Sequence, residues 1–155
     1  MQSGRDDLAK RRRCLVLWRY ENGMAMGEAV LFFDRSLATD FAYRCKQAGQ
    51  LASKMRYLAA PWARMFETGA WLANARHANA SASRFAQAIE GIPGVKVMSP
   101  VQANAVFLRM SEAVSNFLRA RGWHFYTFIG GGARFMFAWD AQADQVDALA
   151  RDVRL

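Results

Sequence analysis

The sequence predicts an α/β fold, and three observations support this prediction. Short apolar runs of strand length recur, for example at residues 29–33 and 105–110. Between residues 37 and 89, apolar residues recur three and four positions apart, as one face of a helix requires. Glycine and proline separate these segments, most clearly at residues 91–94. We therefore expect an antiparallel or mixed sheet with helices packed on one side.

The first half of the chain predicts one strand followed by helices. The run at 29–33 is typical of a strand buried on both faces, and Asp34 or Ser36 can cap the helix that follows. A helical stripe then extends from Leu37 to Ala59. Pro61 predicts a kink or a new first turn. Residues 62–89 predict one or two further helices, with a break near Gly69.

The second half alternates strands and helices. Strands are expected at 95–98, 105–110, 123–128 and 134–139. Ser111 can cap a helix that ends at Gly122, and Asp140 begins the last helix. Three glycines at 130–132 allow a sharp turn or a close approach of the backbone.

Composition and charge restrict the function classes. Hydrophobic residues make up 53% of the chain and charged residues 22%, which favours a globular domain. The net charge is +8, but much of the positive charge crowds into the first twenty residues. Because no patterned basic face follows, we expect no specific nucleic-acid partner.

Cysteine usage and hydropathy complete this picture. Cys14 and Cys45 lie far apart, and no Cys/His cluster has metal-ligand spacing, so we expect no metal site. Free thiols are typical of a reducing, cytoplasmic setting. Apolar runs are too short for a membrane span, and the charged start lacks the apolar region of a secretory signal.

Four sequence blocks carry a resemblance to a known family. They are Asn22-Gly23-Met24-Ala25-Met26-Gly27-Glu28-Ala29, Tyr43-Arg44-Cys45-Lys46-Gln47-Ala48-Gly49-Gln50, Val101-Gln102-Ala103-Asn104-Ala105-Val106-Phe107 and Phe128-Ile129-Gly130-Gly131-Gly132-Ala133-Arg134-Phe135. In order and spacing they resemble the C-terminal portion of the low-specificity L-threonine aldolases. These are pyridoxal-phosphate lyases with the aspartate-aminotransferase-like (fold type I) architecture.

The resemblance implies a division of the chain and a reaction. Residues 1–21 have no counterpart and are expected to form a disordered basic head. Residues 22–60 correspond to the end of the large domain with the interdomain helix, and 61–155 to the C-terminal small domain. The family reaction is retro-aldol cleavage of threonine or allo-threonine to glycine and acetaldehyde, with pyridoxal 5'-phosphate as cofactor.

One position departs from the family pattern. The residue before Asn22-Gly23 is the lysine that binds pyridoxal phosphate in the family, whereas this chain has Glu21. A carboxylate cannot form a Schiff base with an aldehyde. We therefore expect this chain alone to be inactive and not to retain the cofactor.

The genetic code offers a hypothesis for this departure. With suitable codons, residues 15–21 read in another frame as Leu-Cys-Phe-Gly-Gly-Thr-Lys, once a single A is restored. That heptapeptide is the family's usual lead-in, so loss of one base from an aldolase gene would explain the head. The alternative is a genuine, divergent N-terminal extension, and the nucleotide sequence around codon 21 distinguishes the two.

Few functional side chains remain as candidates. Arg134 beside the glycines resembles the family arginine that binds the substrate carboxylate, and a solvent-facing strand arginine is the alternative. Lys46 is a weaker candidate for the cofactor phosphate or a subunit interface. Asn104 anchors a loop near the site or satisfies a turn. His77 and His124 have no neighbouring nucleophile or carboxylate motif, so we expect structural roles for both.

Two further interpretations stay open at this stage. The chain could be a non-catalytic remnant that associates with an intact aldolase subunit or forms a homo-oligomer. It could also derive from another pyridoxal-phosphate lyase or aminotransferase, since one fold hosts many reactions. In each case the intact family acts on a small amino acid.

Overall fold

A computed structural model describes residues 13–17, 22–128 and 131–154. These fall into two compact units. The first comprises residues 13–17 and 24–68, and the second comprises 22–23 and the described residues from 69 onwards. The domain limits at 21/22 and 60/61 drawn from the resemblance stay a prediction.

The first unit contains a β-hairpin that the sequence did not predict. Strand β1 (Cys14–Leu17) pairs antiparallel with β2 (Ala29–Phe32). Strand β1 lies within residues 1–21, for which a disordered head was expected, and that expectation stays a prediction. Beyond the strand ends, Arg13 Nη2 lies 2.6 Å from Asp34 Oδ2. The hydrogen bond from the Ser36 hydroxyl and this guanidinium lower the pKa of Asp34 to about 2.

The helices of the first unit are shorter than the predicted stripe. Asp34 caps a 3-10 helix (Arg35–Ala38), accepting a hydrogen bond from Ser36 N. Helix α1 (Phe41–Gln47) ends before Gly49, whose φ of 68° turns the chain. Helix α2 (Arg56–Thr68) contains Pro61 in its interior. The alternative prediction, that Pro61 begins a new helix in its first turn, is therefore wrong.

The second unit begins with a long helix. Gly69, at φ 70°, separates α2 from α3 (Ala70–Ala88), so the predicted break is confirmed. Strands β3 (Lys96–Val97) and β4 (Ala105–Arg109) follow, and then α4 (Glu112–Ala120), which Ser111 caps by accepting a hydrogen bond from Val114 N. Strands β5 (Tyr126–Thr127) and β6 (Gly132–Met136) precede the last helix, α5 (Ala143–Asp152).

Three of these boundaries correct the sequence prediction. Strand β5 is only two residues long. Strand β6 begins and ends earlier than predicted, because its Gly132 carbonyl already accepts the Phe128 N–H at 2.7 Å. Helix α5 begins at Ala143 instead of Asp140, because a turn in which Ala141 N donates to Ala138 O comes first.

The four strands of the second unit form one antiparallel sheet in the order β3-β4-β6-β5. Val106 opposite Phe135 and Leu108 opposite Ala133 face the core. The buried core joins this face of the sheet to α3, α4 and α5 through Phe85, Leu118 and Val146, among others. This arrangement confirms the predicted α/β fold class. No helix among the described residues is long and apolar enough to cross a membrane.

Candidate functional site

The opposite face of the sheet carries the candidate site. Side chains of a strand alternate between faces, so Arg134 points away from the core to which Ala133 and Phe135 contribute. In the antiparallel register Arg134 lies opposite Phe107 of β4 on one side and Tyr126 of β5 on the other. Arg134 therefore occupies an interior strand between two aromatic neighbours.

Two aromatic rings surround the guanidinium of Arg134. Its Cζ lies 5.2 Å from the centre of the Tyr126 ring and 5.9 Å from that of Phe128. Both distances fall within the range of cation–π attraction. The Arg134 Nε atom is buried and has no hydrogen-bond acceptor among the described residues. A buried donor without a partner is costly, so this side chain is suited to an external acceptor.

Glycine at position 132 permits this packing. A Cβ on Gly132 would lie 3.0 Å from Met98 Sδ and 4.0 Å from Phe128 Cδ2. Gly131 adopts φ 87°, a conformation that favours glycine. Both options predicted for the triple glycine thus occur, a turn at 131 and a close approach at 132. Gly130 lies outside the described residues.

A groove of about 500 Å³ adjoins Arg134 at the β5 edge of the sheet. Its lining comprises Arg119, Trp123, His124, Phe125, Tyr126, Arg134 and Met136. Two guanidinium groups and one imidazole face this space, and no carboxylate is among the lining residues. This composition is suited to an anion with an apolar portion.

Neighbouring contacts hold the groove walls. Arg119 Nη1 donates to Ser115 Oγ at 3.2 Å, and its Cζ lies 4.7 Å from the centre of the Phe125 ring. Trp123 Nε1 donates to Asp152 Oδ2 at 2.8 Å. This indole hydrogen bond, followed by that from Arg121, lowers the pKa of Asp152. The two bonds tie the loop after α4 to the end of α5.

A planar guanidinium can bind a carboxylate through two parallel N–H···O bonds. Such a pair supplies both charge neutralisation and a defined orientation. Arg134 offers this chemistry next to a groove that contributes no competing acid. The arrangement can therefore bind and orient a carboxylate.

The other predicted candidates lie elsewhere. Glu21 lies outside the described residues. Lys46 is exposed near the end of α1, in the first unit, whereas Arg134 belongs to the second. Asn104 Nδ2 donates to Phe137 O at 2.9 Å, and Phe137 N donates back to Asn104 O at 2.9 Å, which secures the end of the β4–β6 ladder.

The two histidines differ in their surroundings. His77 Nε2 lies 2.8 Å from Ala141 O and links α3 to the turn before α5. His124 is exposed and lines the groove, a placement that its strand pattern alone did not reveal. Among the described residues, no group of three or more His, Cys, Asp or Glu could hold a metal ion.

The segment that follows Glu21 packs within the second unit. Asn74 Nδ2 of α3 donates to Asn22 O at 2.9 Å. A Cβ on Gly23 would lie 2.8 Å from Trp139 Cε2, so only glycine fits there without a shift. Glycine at position 23 of the first sequence block is thus required by local packing, whereas residue 22 contributes its backbone carbonyl.

Sequence reasoning missed Tyr126 and Phe128 as neighbours of Arg134. Side chains alternate between the two faces of a strand, so a strand at 123–128 places Tyr126 and Phe128 on the same face. This pattern could have identified the two rings as neighbours of one site. The sequence does not show that this strand pairs with β6. It therefore could not show which arginine the two rings contact.

Comparison with solved structures defines the class of fold. The chain is similar to the threonine aldolase of Leishmania major, with a TM-score of 0.77 and 18% identity over 96% of this chain and 44% of that one. At this identity the likeness concerns the fold, which is that of the fold-type-I proteins.

Comparison with curated sequences is more specific. The chain is 61% identical over 136 residues to the low specificity L-threonine aldolase of Pseudomonas aeruginosa, covering 87% of this chain and 39% of that protein. It is 60% identical over 135 residues to that of a Pseudomonas sp. strain, covering 86% and 39%. The resemblance seen in the four blocks is confirmed. The chain spans about two fifths of the length of these relatives. No protein-family model matches it.

Proposed function

We propose that this chain carries the carboxylate-binding part of a threonine-aldolase-like lyase, and that Arg134 binds the carboxylate of the amino-acid substrate. The observation on which this depends is the buried Nε of Arg134. This atom has no acceptor among the described residues, and the described residues that line the adjoining groove include no acid. The relatives named above are threonine aldolases. Their reaction, retro-aldol cleavage of a β-hydroxy-α-amino acid, is the one to which this site would contribute.

The residues present do not fit pyridoxal phosphate. Covalent attachment of its aldehyde needs a lysine, and the family position holds Glu21. The lysines among the described residues are Lys46, Lys54 and Lys96. All three are exposed, and none lines the groove beside Arg134. We therefore propose no reaction step through the cofactor, and infer that this chain binds substrate carboxylate without cleaving the amino acid.

The binding proposal can be tested by NMR titration. The Arg134 Nε–Hε resonance is followed while L-threonine is added to the purified chain. Because the carboxylate is the recognised group, L-threonine amide should produce no comparable shift. Arg134→Gln should weaken L-threonine binding at least about tenfold, since a hydrogen-bonded charge partner is lost.

Arg109→Gln is the matched control. Arg109 is an exposed arginine on the same sheet face, opposite Gly132, and it does not line the groove. This variant should bind like the wild type. Equal shifts with the amide, or equal weakening in both variants, would show that a diffuse charge effect explains the binding, against the proposal.

The cofactor proposal needs a separate test. The chain is incubated with pyridoxal phosphate, treated with borohydride and analysed by intact mass spectrometry and peptide mapping. We expect no stoichiometric adduct and no acetaldehyde release from L-threonine. A single reduced adduct at one lysine would contradict the proposal that this chain does not bind pyridoxal phosphate. It would not affect the proposal that Arg134 binds a carboxylate.

A further inference from the structure

We propose that Tyr126 is a positioning residue for Arg134: its ring, together with that of Phe128, holds the guanidinium in place for a carboxylate. This inference rests on the proposed function. It concerns how the binding group is preorganised, which neither the resemblance nor the comparisons address.

The surroundings of Arg134 determine how freely its guanidinium can move. A long, flexible side chain loses conformational freedom when it binds a ligand, unless its surroundings already restrict it. In the part of the chain that the structure describes, Arg134 takes part in no ion pair, and its Nε has no hydrogen-bond acceptor. The rings of Tyr126 and Phe128, at 5.2 and 5.9 Å, lie against its guanidinium and restrict it.

The backbone of the sheet holds these two rings in place. Tyr126 is the direct partner of Arg134 in the β5–β6 register. Phe128 N donates to Gly132 O at 2.7 Å, and the Phe128 ring lies 6.0 Å from that of Phe107. Both rings are therefore placed by the same ladder that places Arg134.

Tyr126 lies at the surface of the second unit. Its side chain is 68% exposed, so it contributes little to the core. A ring on the surface that stacks on a guanidinium still gains cation–π attraction, since guanidinium is weakly hydrated. Removing the Tyr126 ring should consequently affect Arg134 more than it affects folding.

The experiment compares Tyr126→Leu with Tyr126→Phe in the L-threonine titration. Tyr126→Leu should bind about two- to fivefold more weakly, the range expected for one exposed cation–π contact. Tyr126→Phe keeps the ring and should bind like the wild type. The ligand-free Arg134 Hε resonance should lose the ring-current contribution of Tyr126 in Tyr126→Leu and keep it in Tyr126→Phe, while the contribution of Phe128 remains in both variants. A general loss of structure would remove both contributions.

Tyr57→Leu is the matched control, because it also replaces an exposed tyrosine by leucine. Tyr57 is 67% exposed, and Arg56 Cζ lies 5.1 Å from its ring, but it belongs to the first unit. This variant should leave L-threonine affinity unchanged, and thermal unfolding checks that each variant is folded.

The possible failures are distinguishable. If the wild type binds L-threonine and Tyr126→Leu binds equally well, the positioning role is refuted while the proposed function stands. Loss of binding in Tyr126→Phe as well as Tyr126→Leu would assign the effect to the hydroxyl and also refute it. If the wild type itself does not bind, the proposed function fails, and this inference fails with it.

Discussion

At the residue scale, the second unit depends on a small set of aromatic contacts around the buried Phe85. Phe85 of α3 is fully buried, and its ring centre lies 5.5 Å from that of Phe135 and 5.4 Å from that of Phe137. Phe135 also stacks on Phe125 at 4.6 Å. This aromatic cluster supports β6 from the core side, directly behind the strand position that presents Arg134 to the other face.

Phe85→Ala should lower the free energy of unfolding of the second unit by about 3–5 kcal/mol, because it removes a buried ring and leaves a cavity. Leu72→Ala is the control in the same helix, since Leu72 is 40% exposed. It should cost about 1 kcal/mol or less. Urea unfolding followed by circular dichroism measures both, and similar costs would contradict the assignment of Phe85 to the core.

Arg134 differs from Arg84 and Arg13 in the partners of its guanidinium. Arg84 forms two hydrogen bonds with Asp147, at 2.7 and 2.6 Å, and Arg13 pairs with Asp34. These arginines have their carboxylates within the chain. Arg134 has aromatic neighbours instead, which leaves its hydrogen-bonding capacity for a ligand.

At the element scale, caps and glycine turns place the strands of the sheet. The Ser111 hydroxyl accepts the Val114 N–H at 3.3 Å at the start of α4, and Gly122 follows that helix at φ 89°. The chain then enters the loop of Trp123 and reaches β5. The position of the groove wall thus depends on where α4 begins and ends.

Ser111→Ala should destabilise the second unit by about 0.5–2 kcal/mol, because the Val114 N–H loses its side-chain acceptor. Ser111→Asp supplies another acceptor and should restore most of that loss, helped by the helix dipole. Thermal unfolding of the two variants gives the comparison. Equal destabilisation by both would mean that the cap does not matter for α4.

Element boundaries were predicted unevenly, for a physical reason. Caps and glycine turns act locally, so Ser111, Asp34 and Gly69 could be read from the sequence. Strand ends depend on partners that are distant along the chain. The lengths of β5 and β6, and the pairing of β1 with β2, were therefore missed.

At the scale of the whole chain, charged contacts set the response to acid. Asp34, Asp147 and Asp152 all have pKa values below their ordinary value. The hydrogen bond from Arg84 is the main cause for Asp147, as the Trp123 indole is for Asp152. A lowered pKa in the folded state stabilises the fold above the unfolded-state pKa.

Stability should therefore decline as the pH falls from about 4 towards about 2, the pKa of Asp34. Urea midpoints measured at pH 6 and pH 3 test this. Arg84→Met should reduce the difference between the two midpoints, because Asp147 loses the partner that lowers its pKa. Lys96→Met, an exposed lysine removed for comparison, should leave the difference unchanged. A midpoint independent of pH would contradict the linkage.

From the amino-acid sequence alone we could predict the α/β class, most helices, the caps at Asp34 and Ser111, the resemblance carried by four blocks, and Arg134 as the best candidate. These features depend on local periodicity, on turn chemistry and on residue identity. The pairing of the strands was needed to show that Tyr126 and Phe128 meet Arg134, and that the described residues lining the adjoining groove include no acid. The reason is strand register: Tyr126 and Arg134 become neighbours through pairing across the sheet, and a slip of one residue would turn every side chain of β6 to the other face.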